Sequence, residues 1–143
     1  MKKFLLTFVM VAVAGVFSVS AQSVTGKWKT IDDETGEAKS IVEIYENNGK
    51  IYGKVVEILN PAKKDAKCNN CKGADKDKPI KGLVILKGLK KDGNEYSGGD
   101  ILDPNKGKLY SCTIKLDGND KLSVRGYMGI SLLGRTQVWH RVK

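Results

Sequence analysis

The sequence predicts an all-β fold, a small eight-stranded antiparallel up-and-down barrel. Short runs rich in Ile, Val, Leu and Tyr recur beyond residue 24, separated by clusters of Gly, Asn and Asp that reverse a chain cheaply. No long stretch carries the 3.6-residue apolar period of an amphipathic helix, which disfavours a helical bundle or an α/β fold. Eight short strands laid side by side leave two unpaired edges unless the sheet closes on itself, so a barrel is favoured over an open sheet. A two-sheet sandwich is the competing arrangement.

The strands are expected at residues 25–30, 39–46, 50–59, 80–87, 95–102, 107–116, 121–128 and 135–142. Ile41 to Tyr45 faces Ile51 to Val56 across Asn48-Gly49, a pair that supplies the positive backbone angles of a tight hairpin. Further turns fall at Lys91 to Asn94, Asp103 to Gly107 and Asp117 to Asp120, each combining Gly with Asp or Asn. In the sixth strand Tyr110, Cys112, Ile114 and Leu116 share one side, opposite Leu109, Ser111, Thr113 and Lys115. The seventh repeats the pattern, with Leu122, Val124, Gly126 and Met128 opposite Ser123, Arg125 and Tyr127. The apolar rows are expected to face inward, filling a narrow barrel or lining a pocket if one end widens.

Residues 1–21 have the form of a secretory signal peptide. Lys2 and Lys3 precede an apolar run from Phe4 to Phe17, and Val19-Ser20-Ala21 sets up a cut before Gln22. The run is short of the roughly 20 residues a bilayer-spanning helix needs, and no cysteine stands at the cut to carry a lipid. The expected location is therefore the periplasm or the medium, with a single soluble domain from residue 22 to residue 143. Removing Lys2 and Lys3 takes the formal charge from +9 to +7. That charge is dispersed lysine, which suits a solvated surface with at most peripheral membrane contact, and export argues against nucleic-acid binding.

Gly26-Lys27-Trp28 on the first strand is the local pattern that opens lipocalin-like barrels. The resemblance implies that Trp28 plugs the closed end and that a basic side chain from the last strand, Arg135 or Arg141, packs across its ring with cation–π attraction. A wider likeness covers essentially the whole mature chain: Ile51-Tyr52-Gly53-Lys54-Val55, Lys81-Gly82-Leu83, Gly98-Gly99 with Asp103-Pro104, Leu122 to Gly129, and Leu133-Gly134-Arg135-Thr136-Gln137 followed by Trp139 and Arg141. This set resembles the DUF2147 family of exported bacterial proteins. The resemblance implies a calycin-type, lipocalin-like barrel of the bacterial envelope with no assigned enzymatic activity, in which Gly26, Trp28, Arg135, Trp139 and Arg141 are structural. One departure is Tyr96-Ser97 before the paired glycines, where the family often has Trp.

Cys68-Asn69-Asn70-Cys71 has the spacing of half a zinc site or of a redox pair. Further soft ligands could come only from Cys112 and His140 on distant strands, and the motif sits in a lysine-rich loop, not at a helix start after a central strand. In an oxidising compartment the simplest outcome is a Cys68–Cys71 disulfide pinning the connection from Asn60 to Pro79, with Cys112 a buried free thiol and no metal or cofactor. That connection holds six lysines against three aspartates and reads as a solvated, crosslinked loop or a basic rim.

The second candidate surface is the apolar turn between the last two strands. Tyr127, Ile130, Leu132, Leu133 and Arg135 either cap the barrel or guard an opening that binds a ligand. Catalysis finds little support: His140 is the sole histidine, and neither Ser111 nor Cys112 sits in a nucleophile motif. The expected function is a non-enzymatic envelope protein binding a small amphiphilic or apolar ligand. The alternatives are a structural or protein-binding module of the periplasm, and a metal or redox accessory using Cys68 and Cys71. An interior cavity above roughly 300 Å³ favours the carrier, and a solid interior excludes it.

Overall fold

The computed structural model describes residues 23–129 and 133–143, so the expected signal peptide and the Ile130 to Leu132 part of the apolar turn lie outside the described residues. Eight antiparallel strands follow one another in space as in sequence and close into a barrel: β1 Gly26–Ile31, β2 Ala38–Asn47, β3 Lys50–Ile58, β4 Val84–Asp92, β5 Glu95–Asp103, β6 Lys108–Asp117, β7 Lys121–Tyr127 and β8 Gly134–Arg141. Closure is made by β1 and β8, with Trp28 opposite Arg141 and Lys29 opposite His140. The sandwich alternative therefore falls away, because every strand has a partner on both sides.

The expected inward rows of β6 and β7 build the core, with Cys112, Ile114, Leu122 and Val124 buried. They meet Trp28, Val42 and Ile44 from β1 and β2, Leu86 and Leu89 from β4, and Trp139 from β8. Met128, expected at the end of the inward row on β7, is instead 60% exposed, because the strand ends at Tyr127 and the chain leaves the barrel wall there.

Two departures come from bulges. Strand β4 was expected at residues 80–87 but begins at Val84, since Ile80 to Leu83 makes a turn in which the Leu83 amide donates to the Ile80 carbonyl, 3.0 Å. It then runs past Gly88, whose φ of 70° absorbs an extra residue where Gly53 pairs with Leu86 and Ile51 with Leu89. In β3 the pairing steps from Val42–Val55 to Ile41–Glu57, leaving Val56 as the extra residue and turning Ile58 inward behind Val55. Strict alternation from Val55 would have sent Glu57 into the core.

Because neighbouring strands are antiparallel, their connections alternate between the two ends of the barrel. One end carries the short turns at 48–49, 93–94 and 118–120 together with the segment leading into β1. The other carries the connections 32–37, 59–83, 104–107 and 128–133. The longest of these contains two single-turn 3₁₀ segments, Pro61–Lys63 and Gly73–Asp75, and a bridge between Lys67 and Pro79, so it has more regular structure than the open loop its sequence suggests. Asn60 starts the first segment by accepting from the Ala62 amide, 3.0 Å.

Candidate functional site: the barrel cavity and its mouth

Trp28 forms the floor. Its ring is fully buried, its indole N–H donates to the Val24 carbonyl at 2.8 Å, and the Arg141 guanidinium lies 4.3 Å from the ring centroid. Arg141 also donates to the carbonyls of Asn119, Thr25 and Ser23 at 2.8, 3.1 and 2.9 Å. One side chain thus ties the β6–β7 turn to the start of the barrel while covering the plug. Gly26 makes room for it, since a Cβ there would stand 3.1 Å from Arg141 Nη1. Of the two arginines proposed to cover Trp28, Arg141 does so and Arg135 does not, because Arg135 lies at the opposite end of β8 from Arg141, among the mouth connections.

Above the floor the interior is open. A cavity of about 480 Å³ reaches from the middle of the barrel to the end carrying the long connections. Its wall has an apolar part made by Val55, Ile58, Ile85, Ile101, Val124 and Trp139, running from Trp139 near the floor to Ile58 and Ile85 at the mouth ends of β3 and β4. Gly126 lines it as well, and lacking a side chain it leaves the space beside Ile101 and Tyr110 unfilled. Polar groups on the walls are few and placed: Thr30 Oγ1 and Ser40 Oγ are 2.7 Å apart, and Gln137 Oε1 accepts from the Trp139 indole N–H at 3.2 Å. Trp139, expected to be purely structural, is therefore also part of the cavity wall.

Charge gathers at the mouth. Arg135 forms a two-pronged pair with the Asp33 carboxylate and reaches Glu34 at 3.2 Å, strapping β8 to the 32–37 connection. Arg135 holds the Asp33 carboxyl below its ordinary range, and the carboxylate in turn raises the guanidinium further above its own. Asp32 is lowered first by the amides of Glu34 and Thr35 that donate to it, then by Lys39 at 3.6 Å. Across the opening stand Lys63 from the long connection and Lys106 from the β5–β6 turn.

The expected ligand-binding residues divide. Arg135 lines the cavity; Tyr127 points to the outer side of β7 and Leu133 is 69% exposed, so neither lines it, and Ile130 and Leu132 lie outside the described residues. The apolar turn is not where the described cavity wall is built. That wall comes from Ile58, Ile80, Ile85 and Ile101, which sequence reasoning left unassigned, and from Asn60, Lys63 and Ala66 of the lysine-rich connection. Bulges hid the Ile58 signal by breaking the two-residue period.

Cys68 and Cys71 are joined in a disulfide, their Cα atoms 5.3 Å apart. Cys112 is a free thiol buried in the core, where loss of solvent and then the Asp100 charge push it up to about 12. The metal or redox alternative needs Cys68 and Cys71 reduced and converging with another ligand. The structure instead pairs them with each other, at the mouth, while His140 sits on the outer face of β8 near the floor. Among the described residues no group of three His, Cys, Asp or Glu side chains converges on one point. Nor does β8 bring His140 to Cys112, which faces the interior, or to Ser111, which pairs with Tyr127 at the mouth end.

This geometry, a closed barrel plugged by Gly-x-Trp and a last-strand arginine, accompanies a match over residues 26–141 to the DUF2147 family model, described as an uncharacterized protein conserved in bacteria. The chain belongs to that family. The DUF2147 barrel is also similar to the solved structure of protein HP1028 from Helicobacter pylori, which is assigned to the lipocalin family. The TM-score is 0.75 at 24% identity, over 85% of this chain and 84% of the other. At that identity the likeness speaks to the fold. No curated protein matches the DUF2147 chain in sequence.

Proposed function

We propose that this protein is a non-enzymatic carrier of a small amphiphilic or apolar molecule, exported by residues 1–21 to the periplasm or the medium. The observation that carries the reading is the cavity of about 480 Å³, which exceeds the roughly 300 Å³ lower end of small-molecule sites and combines an apolar strand wall with charged side chains from the mouth connections. A ligand would bury its apolar part against Ile58, Ile85, Ile101 and Trp139 and leave a polar group at the level of Lys63, Lys106 and Arg135. A structural or protein-binding module would favour a solid interior with an exposed apolar outer surface; the cavity speaks for the carrier over it, while Leu109, Met128, Leu133 and Val138 are exposed apolar side chains.

The test is to fill the cavity without touching the floor. Gly126→Leu places a side chain where the nearest atoms, Ile101 Cγ2 and Tyr110 Cβ, are 3.4 and 3.5 Å from the new Cβ, which is ordinary contact. Titration with the fluorescent apolar probe N-phenyl-1-naphthylamine should show saturable binding to the wild type. Gly126→Leu should weaken it by about tenfold or more through steric exclusion. Equal binding by both proteins, or none by the wild type, would sink the reading.

A further inference from the structure

A second concavity, of about 450 Å³, lies outside the barrel wall between the disulfide loop and the start of β6. Lys72, Lys106 and Lys108 stand along it beside Leu109 and Met128, which are 52% and 60% exposed. Its one carboxylate, Asp75, is already matched by Lys87 at 2.7 Å and Lys78 at 3.8 Å, and the neighbouring Asp103, opposite Lys108 in register, accepts from the amides of Asn105 and Lys106, so the three exposed lysines outnumber the carboxylates at this face. The groove and the cavity share a wall, since Leu102 and Lys106 line both. Leu133, another exposed large apolar side chain, stands at the same end of the barrel.

The loop is held in place to present this face. The disulfide closes the turn at 68–71, the Asn70 side-chain amide donates to the Asn105 carbonyl at 2.9 Å, and a Cβ on Gly107 would overlap the Asn70 carbonyl. Lys72 is thereby set on the same groove wall as Lys106 and Lys108 in advance of any partner.

We propose that this face docks on an anionic lipid bilayer, with Leu109 and Met128 entering the interfacial layer and Lys72, Lys106 and Lys108 meeting lipid phosphates. Apolar side chains beside several lysines are the composition that binds anionic membrane surfaces reversibly. A second copy of this chain fits poorly, because a self-facing contact would oppose each lysine cluster to its own image. Docking here turns the cavity mouth toward the membrane, and that consequence rests on the carrier reading. Docking itself does not, because vesicle binding and probe binding are separate measurements that can fail separately.

The experiment is co-sedimentation of the full-length expressed chain, in the form the cell yields, with vesicles of phosphatidylglycerol and phosphatidylcholine or of phosphatidylcholine alone. Binding should require phosphatidylglycerol and fall with added salt. Charge reversal at Lys72, Lys106 and Lys108 should weaken it by roughly tenfold or more, and Leu109→Ser with Met128→Ser by several-fold. The control reverses Lys91, Lys115 and Lys121, which carry the same charge at the other end of the barrel, and should cost no more than about twofold. Cys68→Ser should also weaken binding, by loosening Lys72, with circular dichroism confirming that each variant is folded. Equal loss in the control, or equal binding to neutral vesicles, overturns the proposal. So does a dimer in size-exclusion chromatography that dissociates on Leu109→Ser with Met128→Ser and binds no vesicles, which would give the face to a second copy.

Discussion

The two ends of the barrel are built from the same eight strands and differ in nearly everything else. At the floor, short turns bring Trp28, Val24 and Arg141 into one packed unit in which the indole N–H and three backbone carbonyls are paired. At the mouth, long connections spread apart, the interior empties, and polar contacts are exposed ion pairs such as Arg135 with Asp33 and Glu34. Buried, saturated contacts hold a fold; exposed, exchangeable ones around a cavity leave room for binding. Stability and the capacity to bind are thus placed at opposite ends of one sheet.

The sharpest way to break that contrast is truncation at each end. Trp28→Ala removes a fully buried ring and its hydrogen bond, and should cost about 3–5 kcal/mol in denaturant unfolding. Leu133→Ala, at a side chain 69% exposed beside the mouth, should stay within about 0.5 kcal/mol. Comparable losses at the two sites would mean the mouth carries the fold as well.

A smaller effect is expected at the lid of the plug. Arg141→Ala loses the contact with Trp28 and three donors to carbonyls, for about 2 kcal/mol. Arg141→Lys should recover only part of this, since an ammonium lacks the planar fork that reaches several carbonyls while covering the ring. Full recovery by lysine, seen as an unchanged thermal midpoint, would reduce the role of Arg141 to charge alone.

The smallest effect belongs to the strap across the mouth. Arg135 is about half exposed, so Arg135→Ala should cost less than about 1 kcal/mol. Its pH dependence is more telling. Asp33 has a lowered folded pKa, so its contribution is present above the ordinary value of 3.8 and is lost as pH falls from there through the folded value. Stability of wild type and Arg135→Ala, measured against pH, should differ at neutral pH and converge in acid. A gap that persists after pH has fallen past the lowered folded value of Asp33, where the carboxylate is protonated in both states, would show that Arg135 acts through packing and not through Asp33.

The contrast between the ends also separates what could be read in advance from what could not. Asn48-Gly49 and the alternating rows of β6 and β7 sufficed for the strands and their order, because turn chemistry and a two-residue period are local properties. The plug at Trp28 came from the resemblance of Gly26-x-Trp28 to lipocalin-like barrels, and closure over a two-sheet sandwich was decided by the pairing of β1 with β8. The disulfide was equally readable from two cysteines three residues apart. The mouth was not. Arg135 was offered with Arg141 as a candidate cover for Trp28, whereas its partners Asp33 and Glu34 are about a hundred residues away in sequence and gave no local signal. The apolar turn was favoured as a ligand surface over Ile58 and Ile85, since an exposed apolar run attracts notice and a bulge-shifted inward residue does not.

By itself, then, the sequence determined eight strands and their order, and its resemblance to lipocalin-like barrels pointed to Trp28 as the plug. The strands and their order follow from interactions spanning a few residues and from the tight turns that join neighbouring strands of an antiparallel meander. The tertiary structure alone decided that the interior is hollow, which residues line it and which arginine covers Trp28. Those outcomes depend on register, on the extra residues at Val56 and Gly88, and on the space Gly126 leaves unfilled between walls drawn from distant strands.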